Sequence, residues 1–132
     1  MRRLLVIAAA LALSACGTAS TSNDVKFTGA QKDVADLVDK LATAGQRHDA
    51  STICNDILSK QLVAELKTAG GDCESEMKDA IADATDYDLQ VRSVKIDGNN
   101  ATAQVRQGDK GKVATFTFVK ENGGWRATSF GG

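Results

Sequence analysis

The side chain best suited to chemistry in this sequence is its one tyrosine, Tyr87, which has aspartates nearby at positions 83, 86 and 88. A tyrosine can stabilise a developing oxyanion while a carboxylate acts as general base, so the pair could serve a lyase or isomerase. Such chemistry needs both groups in a dry cavity that shifts their pKa values. We expect instead that the Tyr87 ring packs at the edge of the core with its hydroxyl in water, and enzymatic activity stays uncertain, with binding favoured over catalysis.

His48, the single histidine, precedes Asp49, but neighbours in sequence are not thereby hydrogen-bonded. We expect it to be a solvated residue of the turn that ends a helix, and no serine pattern completes a Ser-His-Asp triad. The cysteine spacing lacks a CxxC pair or clustered histidines, so no metal site is predicted. No phosphate-binding glycine loop is present either, so we expect no cofactor, and nucleic acid is not among the expected partners.

The first residues have the pattern of an export signal. Arg2 and Arg3 provide a positive start, and residues 4–13 form an uncharged apolar run. Ten residues are too short to cross a hydrocarbon core that needs roughly 20. Length and flanking residues are typical of a signal peptide.

The end of that signal, Leu13-Ser14-Ala15-Cys16, resembles the lipobox of bacterial lipoproteins. The resemblance implies cleavage before Cys16 and attachment of a diacylglycerol, with acyl chains such as palmitate, to its thiol. Two acyl chains anchor a protein stably. We therefore expect a signal peptide (residues 1–15), a flexible small-residue tether (16–24) and one domain (25–132), held at the extracytoplasmic face of the cell membrane. An ordinary secretory signal that happens to carry a cysteine is the alternative.

The other two cysteines, Cys54 and Cys73, form an even pair in a chain with an export signal. A disulfide is the expected state of such a pair. Two free buried thiols or a redox-active pair remain as alternatives.

Residues 28–84 have the apolar spacing of amphipathic helices. Four are predicted: from Gln31 to about Gly45 with Thr28 as N-cap, residues 50–58 capped by Asp49, residues 60–69 capped by Ser59, and one that follows a cap at Asp72.

From Leu89 onward the pattern alternates as in strands, over residues 89–97, 101–107, 112–120 and 124–130. The connectors are short enough to require antiparallel hairpins. Leu89 and Val91 are out of phase with Val94 and Ile96, which predicts a β-bulge near residues 92–93. The expected fold is therefore α+β, with N-terminal helices packed on a curved four-stranded antiparallel meander.

The run at residues 41–49, the segment 53–59 with Cys54, the pair Cys73-Glu74 and the terminal Gly123-Gly124-Trp125-Arg126-Ala127 together resemble small actinobacterial lipoproteins of the NTF2-like (nuclear transport factor 2-like) superfamily. The resemblance implies a cone-shaped domain with a pocket between helices and sheet. The fold carries both enzymes and non-catalytic modules, but the core-facing strand positions here are mainly Leu, Val, Ile, Ala and Phe. We therefore expect a non-catalytic role in which that pocket binds a small apolar ligand, or the domain binds an envelope protein. A filled core is the competing description of the same residues. The expected pocket residues are Leu37, Leu41, Val94, Ile96, Phe116 and Phe118.

Charge is unevenly distributed along the chain. Residues 24–88 carry seven basic and fourteen acidic side chains, whereas residues 89–132 carry seven and three. A basic sheet face could bind an anionic envelope polymer. Lys and Arg that simply keep strand edges soluble are the alternative explanation. The candidate residues are Arg92, Lys95, Arg106, Lys112, Lys120 and Arg126.

Overall fold

A computed structural model of the chain describes residues 26–84, 87–108 and 110–131. The expected signal peptide (1–15), the expected tether (16–24) and Cys16 lie outside the described residues. Within the described ranges, no helix has the length and apolar character needed to cross a membrane.

The N-terminal half is helical, as predicted. The helices are α1 (Ala30–Gln46), α2 (Ala50–Thr52), α3 (Lys60–Thr68) and α4 (Cys73–Asp83), and a π-helical turn (Ile53–Ile57) continues α2. The expected second helix is thus one α-helical turn followed by a wider π turn, in which the Leu58 N–H donates to the Ile53 carbonyl at 3.0 Å. Ile53, Cys54 and Ile57 of this turn are all buried, so the wider turn presents a broad apolar face to the core.

Two of the four predicted N-caps are confirmed. The Asp49 carboxylate accepts a hydrogen bond from the Thr52 N–H at 3.0 Å, and the Ser59 hydroxyl accepts one from the Leu62 N–H at 3.1 Å. Asp72 occupies the N-cap of α4 without a capping side-chain bond. The prediction of Thr28 as an N-cap is wrong. Helix α1 begins at Ala30, so Gly29, at φ 58°, occupies the N-cap position.

The C-terminal half is a four-stranded antiparallel meander in the order β1-β2-β3-β4, which confirms the α+β prediction. The strands are β1 (Leu89–Asp97), β2 (Asn100–Gln107), β3 (Val113–Glu121) and β4 (Gly124–Phe130). The predicted bulge is present between Val91 and Ser93, and it brings Val91 and Val94 to the same buried face. A second irregularity, between Thr117 and Phe118 in the pairing with β4, was not predicted.

The helices cover one face of the sheet and form the core with it. Val34 and Val38 of α1 and Phe116 of β3 are almost completely buried, and the Phe116 ring meets Phe130 edge-on at 5.2 Å. The cluster of buried side chains, the sheet and the disulfide all come from residues 26–131. A chain of residues 25–132 therefore contains the described core, the sheet and the disulfide.

Both edge strands are contacted by the helical half. The Gln31 side-chain amide donates to the Val94 carbonyl of β1 at 3.1 Å, and the Ser59 N–H donates to the Ala127 carbonyl of β4 at 2.8 Å. Bonds of this kind occupy backbone groups that an edge strand would otherwise present for pairing.

The two ends of the sheet differ. We call the end with the β1–β2 and β3–β4 turns (residues 97–100 and 121–124) the hairpin end, and the end with the β2–β3 turn (residues 107–113) the far end. Helix α1 starts towards the hairpin end, where Gln31 reaches Val94, and runs to the far end, where Gly45 packs against Tyr87. The domain thus receives the chain at one end and finishes its longest helix at the other.

Candidate functional site

An apolar groove opens at the far end of the sheet, between α1, α4 and the strands. Its volume is about 210 Å³. The described residues that line it are almost all apolar: Leu41, Ala42, Gly45, Ile53, Met77, Ala80, Ile81, Ala84, Tyr87, Leu89, Gln107, Phe116 and Phe130. An apolar concavity of this kind is the usual form of a small-molecule site.

The six predicted pocket residues are divided by the structure. Leu41 and Phe116 line the groove, and the other four do not. Val94 and Phe118 are buried in the core, and Ile96 packs against it half-buried. Leu37 lies in a separate shallow depression beside Trp125. Among the described residues, the filled-core description therefore fits the hairpin half of the expected pocket, and the open groove lies in the half near the far end.

Several groove residues were not among the predicted pocket residues. Met77, Ile81 and Ala84 follow the i, i+4, i+7 spacing of the inward stripe of α4, and that spacing was the available signal. Periodicity identifies the inward face of a helix, but it does not tell whether another side chain fills the space opposite.

The volume limits what the groove can hold. An engineered apolar cavity of about 150 Å³ stays dry and binds benzene, whereas drug-sized ligands occupy roughly 300–1,000 Å³. At about 210 Å³, the groove matches a one- or two-ring compound or a short stretch of acyl chain.

Tyr87 closes one side of the groove. A Cβ at position 45 would lie 3.0 Å from the Tyr87 ring. Because position 45 is a glycine, the ring can pack directly against α1. The Tyr87 hydroxyl donates to the Ile81 carbonyl at 2.6 Å, which corrects the expectation that water would be its partner. The ring also meets the exposed His48 edge-on, with centroids 5.9 Å apart. This hydrogen bond therefore links the segment between α4 and β1 to the last turn of α4.

The groove offers little for acid–base catalysis. Among the described residues that line it, Tyr87 is the only titratable one. Asp83 and Asp88 are exposed, and Asp86 lies outside the described residues. A lyase or isomerase would need a carboxylate aimed into the cavity, and the described lining contains none.

The groups with perturbed pKa values lie on the helix surface rather than in the groove. Hydrogen bonds from the Thr52 hydroxyl and N–H lower the pKa of Asp49. Partial burial, together with the negative charge of the nearby Asp36 carboxylate, raises the pKa of Asp39. A hydrogen bond to Asp36 raises the pKa of Lys32. These shifts reflect a helix cap and surface charge pairs.

The predicted disulfide is confirmed. Cys54 of the π-helical turn is bonded to Cys73, the first residue of α4, with 6.1 Å between their Cα atoms. Both residues are buried, and the bond ties the second helical segment to the fourth. In the described part of the chain, no group of three or more His, Cys, Asp or Glu side chains is placed to hold a metal ion.

The six basic residues expected on one sheet face do not form a single patch. Lys95 and Arg106 lie on the face away from the helices, in register with polar residues of the neighbouring strand. The Lys120 ammonium instead lies 6.0 Å from the centre of the buried Trp125 ring, and Arg126 reaches the Asn55 carbonyl at 2.7 Å. At least two of the six cations are thus directed towards the helical half.

Comparisons with protein-family models, with curated proteins and with solved structures give no match to this chain. Its function is therefore argued from the geometry of the groove and from the sequence motifs.

Proposed function

We propose that this chain is an exported lipoprotein, anchored to the membrane through Cys16, whose NTF2-like domain binds a small apolar ligand without catalysing a reaction on it. The observation that carries the proposal is the apolar groove at the far end of the sheet. Its described lining combines apolar side chains from α1, α4 and three strands (β1, β3 and β4) with one amide, Gln107 of β2, and one phenol, Tyr87.

The groove favours binding over catalysis because its described lining provides hydrophobic contact and no general base. A two-ring hydrocarbon that buries roughly 200 Å² at ~25 cal/mol/Å² gains about 5 kcal/mol, before the cost of immobilising it. Because the immobilisation cost must be subtracted, the dissociation constant of such a compound should be no lower than about 0.2 mM. A natural ligand that also bonds to Gln107 would bind more tightly.

Sequence and architecture support the remaining parts of the proposal. The lipobox-like Leu13-Ser14-Ala15-Cys16 supports the anchor. The helices packed on one face of a four-stranded antiparallel meander are compatible with an NTF2-like cone. The confirmed disulfide agrees with an oxidising compartment outside the cytoplasm.

Ligand binding is tested with indole, a two-ring compound that dissolves in water well above this concentration of about 0.2 mM, and a soluble chain of residues 25–132, followed by amide NMR shifts. We expect saturable shifts at groove residues. Ala42→Leu adds three carbon atoms inside the groove and should weaken binding at least tenfold. Ala82→Leu makes the same change on the exposed side of α4 and should leave the dissociation constant unchanged. Equal affinity in both variants, or shifts confined to other surfaces, would contradict the proposal.

The anchor is tested in bacterial cells that express the full chain, with an alkyne-labelled palmitate and mass analysis of the N-terminal peptide. We expect the label in the membrane fraction and a mature chain that starts at lipid-modified Cys16. Cys16→Ala should abolish the label, whereas Cys54→Ala should retain it. A label that persists in Cys16→Ala would refute the assignment.

A further inference from the structure

A second cavity lies at the hairpin end, between α3 and the β3–β4 turn, away from the apolar groove. Its volume is about 390 Å³, and its apolar floor includes Cys54 and Leu58. We call it the cationic cleft, after the polar residues at its walls: Asn55, Lys60, Lys67, Glu121, Asn122 and Arg126.

The charge of this cleft is opposite to that of its surroundings. Three cations and one carboxylate line it, in a helical half with twice as many acidic as basic residues. Among the described residues, Lys32–Asp36 and Lys40–Asp56 are ion pairs, and none of the three cleft cations makes one. A cleft lined mainly by charges of one sign raises the local concentration of the opposite ion. Such a cleft therefore suits an anionic ligand.

The single carboxylate of the cleft is already engaged. Glu121 accepts hydrogen bonds from the Lys60 N–H at 3.3 and 3.4 Å, at the first residue of α3. Its negative charge therefore compensates the positive end of the helix. Within the described ranges, the side-chain charges of Lys60 and Lys67 have no carboxylate partner.

Arg126 is held in place by the backbone. Its Nη1 donates to the Asn55 carbonyl at 2.7 Å, which fixes the guanidinium beside the π-helical turn. The remaining guanidinium N–H groups have no acceptor among the described residues. A fixed guanidinium with free donors, flanked by two lysines, is an arrangement that suits the oxygens of a phosphate group.

We propose that the cationic cleft binds a phosphate group, either of a free phosphate or of a phosphodiester lipid headgroup. The cleft is separate from the apolar groove, and the inference does not depend on the ligand proposed there. Its location favours the headgroup, because the cleft lies at the same end of the domain as the start of α1, the first described helix after Cys16 in the sequence. This preference rests on the proposed anchor at Cys16.

The test uses the full chain in an uncharged detergent, with amide NMR shifts as the readout. Inorganic phosphate is one probe, and glycerophosphoglycerol, the soluble headgroup of phosphatidylglycerol, is the other. The double variant Lys60→Gln, Lys67→Gln keeps the side-chain stems and the Lys60 N–H that holds Glu121. Its matched control is Lys95→Gln, Lys112→Gln, which removes the same charge from the sheet. We leave Arg126 unaltered because it also bonds to the backbone.

We expect saturable shifts around the cleft that weaken with added salt. The cleft variant should lower the affinity at least tenfold, and the control at most twofold. Binding of glycerophosphoglycerol alone would assign the cleft to lipid headgroups, and binding of inorganic phosphate alone would assign it to free phosphate. Absence of saturable shifts with either probe at low salt, or equal losses in both variants, would overturn the proposal. Indole binding to the apolar groove of the 25–132 chain is measured separately, so either site can fail alone.

Discussion

Reduction of the Cys54–Cys73 disulfide should lower the free energy of unfolding by an amount that follows from its position in the chain. The two cysteines are 19 residues apart in sequence. The chain-entropy relation, about −2.1 − 1.5R ln n cal/mol/K, then gives about 3 kcal/mol at 298 K. A domain of this size has a total stability of about 5–15 kcal/mol. The reduced protein should therefore still fold, with a clearly lower denaturation midpoint.

The assay is urea denaturation of the 25–132 chain, followed by the fluorescence of Trp125, with and without a thiol reductant. Reduction leaves both sulfur atoms in place, so it isolates the effect of the bond. The variant Cys54→Ala, Cys73→Ala also loses the packing of two buried sulfur atoms, which adds roughly 1 kcal/mol to the loss. Reductant should have no effect on that variant, which serves as the control.

A change of less than about 1 kcal/mol on reduction would refute the entropic argument, because it falls well below the range typical of native disulfides. A similar loss in the cysteine-free variant would show that the reductant acts elsewhere.

Three further predictions concern stability. Phe116→Ala should lower the free energy of unfolding by about 3–5 kcal/mol in urea denaturation, because the side chain is almost fully buried. Val113→Ala, at a position 53% exposed, is the control and should change that free energy by less than about 0.5 kcal/mol. Ser59→Ala removes the cap of α3 from a fully buried site and should cost about 1–2 kcal/mol, with the loss seen first as faster amide exchange in α3. The folded state lowers the pKa of Asp49, so its contribution to stability is present above the ordinary pKa of 3.8 and is lost as pH falls below that value. Asp49→Asn should therefore reduce the fall in melting temperature at acid pH. An unchanged acid dependence would contradict the assignment.

The strands and two of the helix caps could be predicted because their signals are local. Alternation and short connectors placed every strand boundary within one residue, and the phase change after Val91 located the bulge. Ser59 and Asp49 cap through bonds to residues three positions ahead, a spacing visible in sequence. The prediction for Thr28 was wrong because Gly29 lies between it and the helix. Glycine is about as common as threonine at the N-cap position, and here Gly29 occupies that position at φ 58°.

The two cavities could not be predicted in the same way. The apolar groove and the core use the same residue types, and whether Phe116 borders open space depends on how closely Tyr87 and Gly45 approach. The cationic cleft joins Lys60 and Lys67 to Arg126, about half the chain away. Charge counts over long segments placed Arg126 in the basic half and the two lysines in the acidic half. They therefore gave no sign that the three cations line one cleft.

The direction of α1 has a consequence for how cargo would reach the domain. The helix has 17 residues, a length of about 25 Å. The chain enters the domain near its start, whereas Leu41 and Gly45 line the groove towards its end. With an anchor at Cys16 on a flexible tether, the length of α1 would separate the mouth of the groove from the point where the tether joins the domain. A ligand could then exchange with the aqueous space while the protein stays attached to the lipid surface.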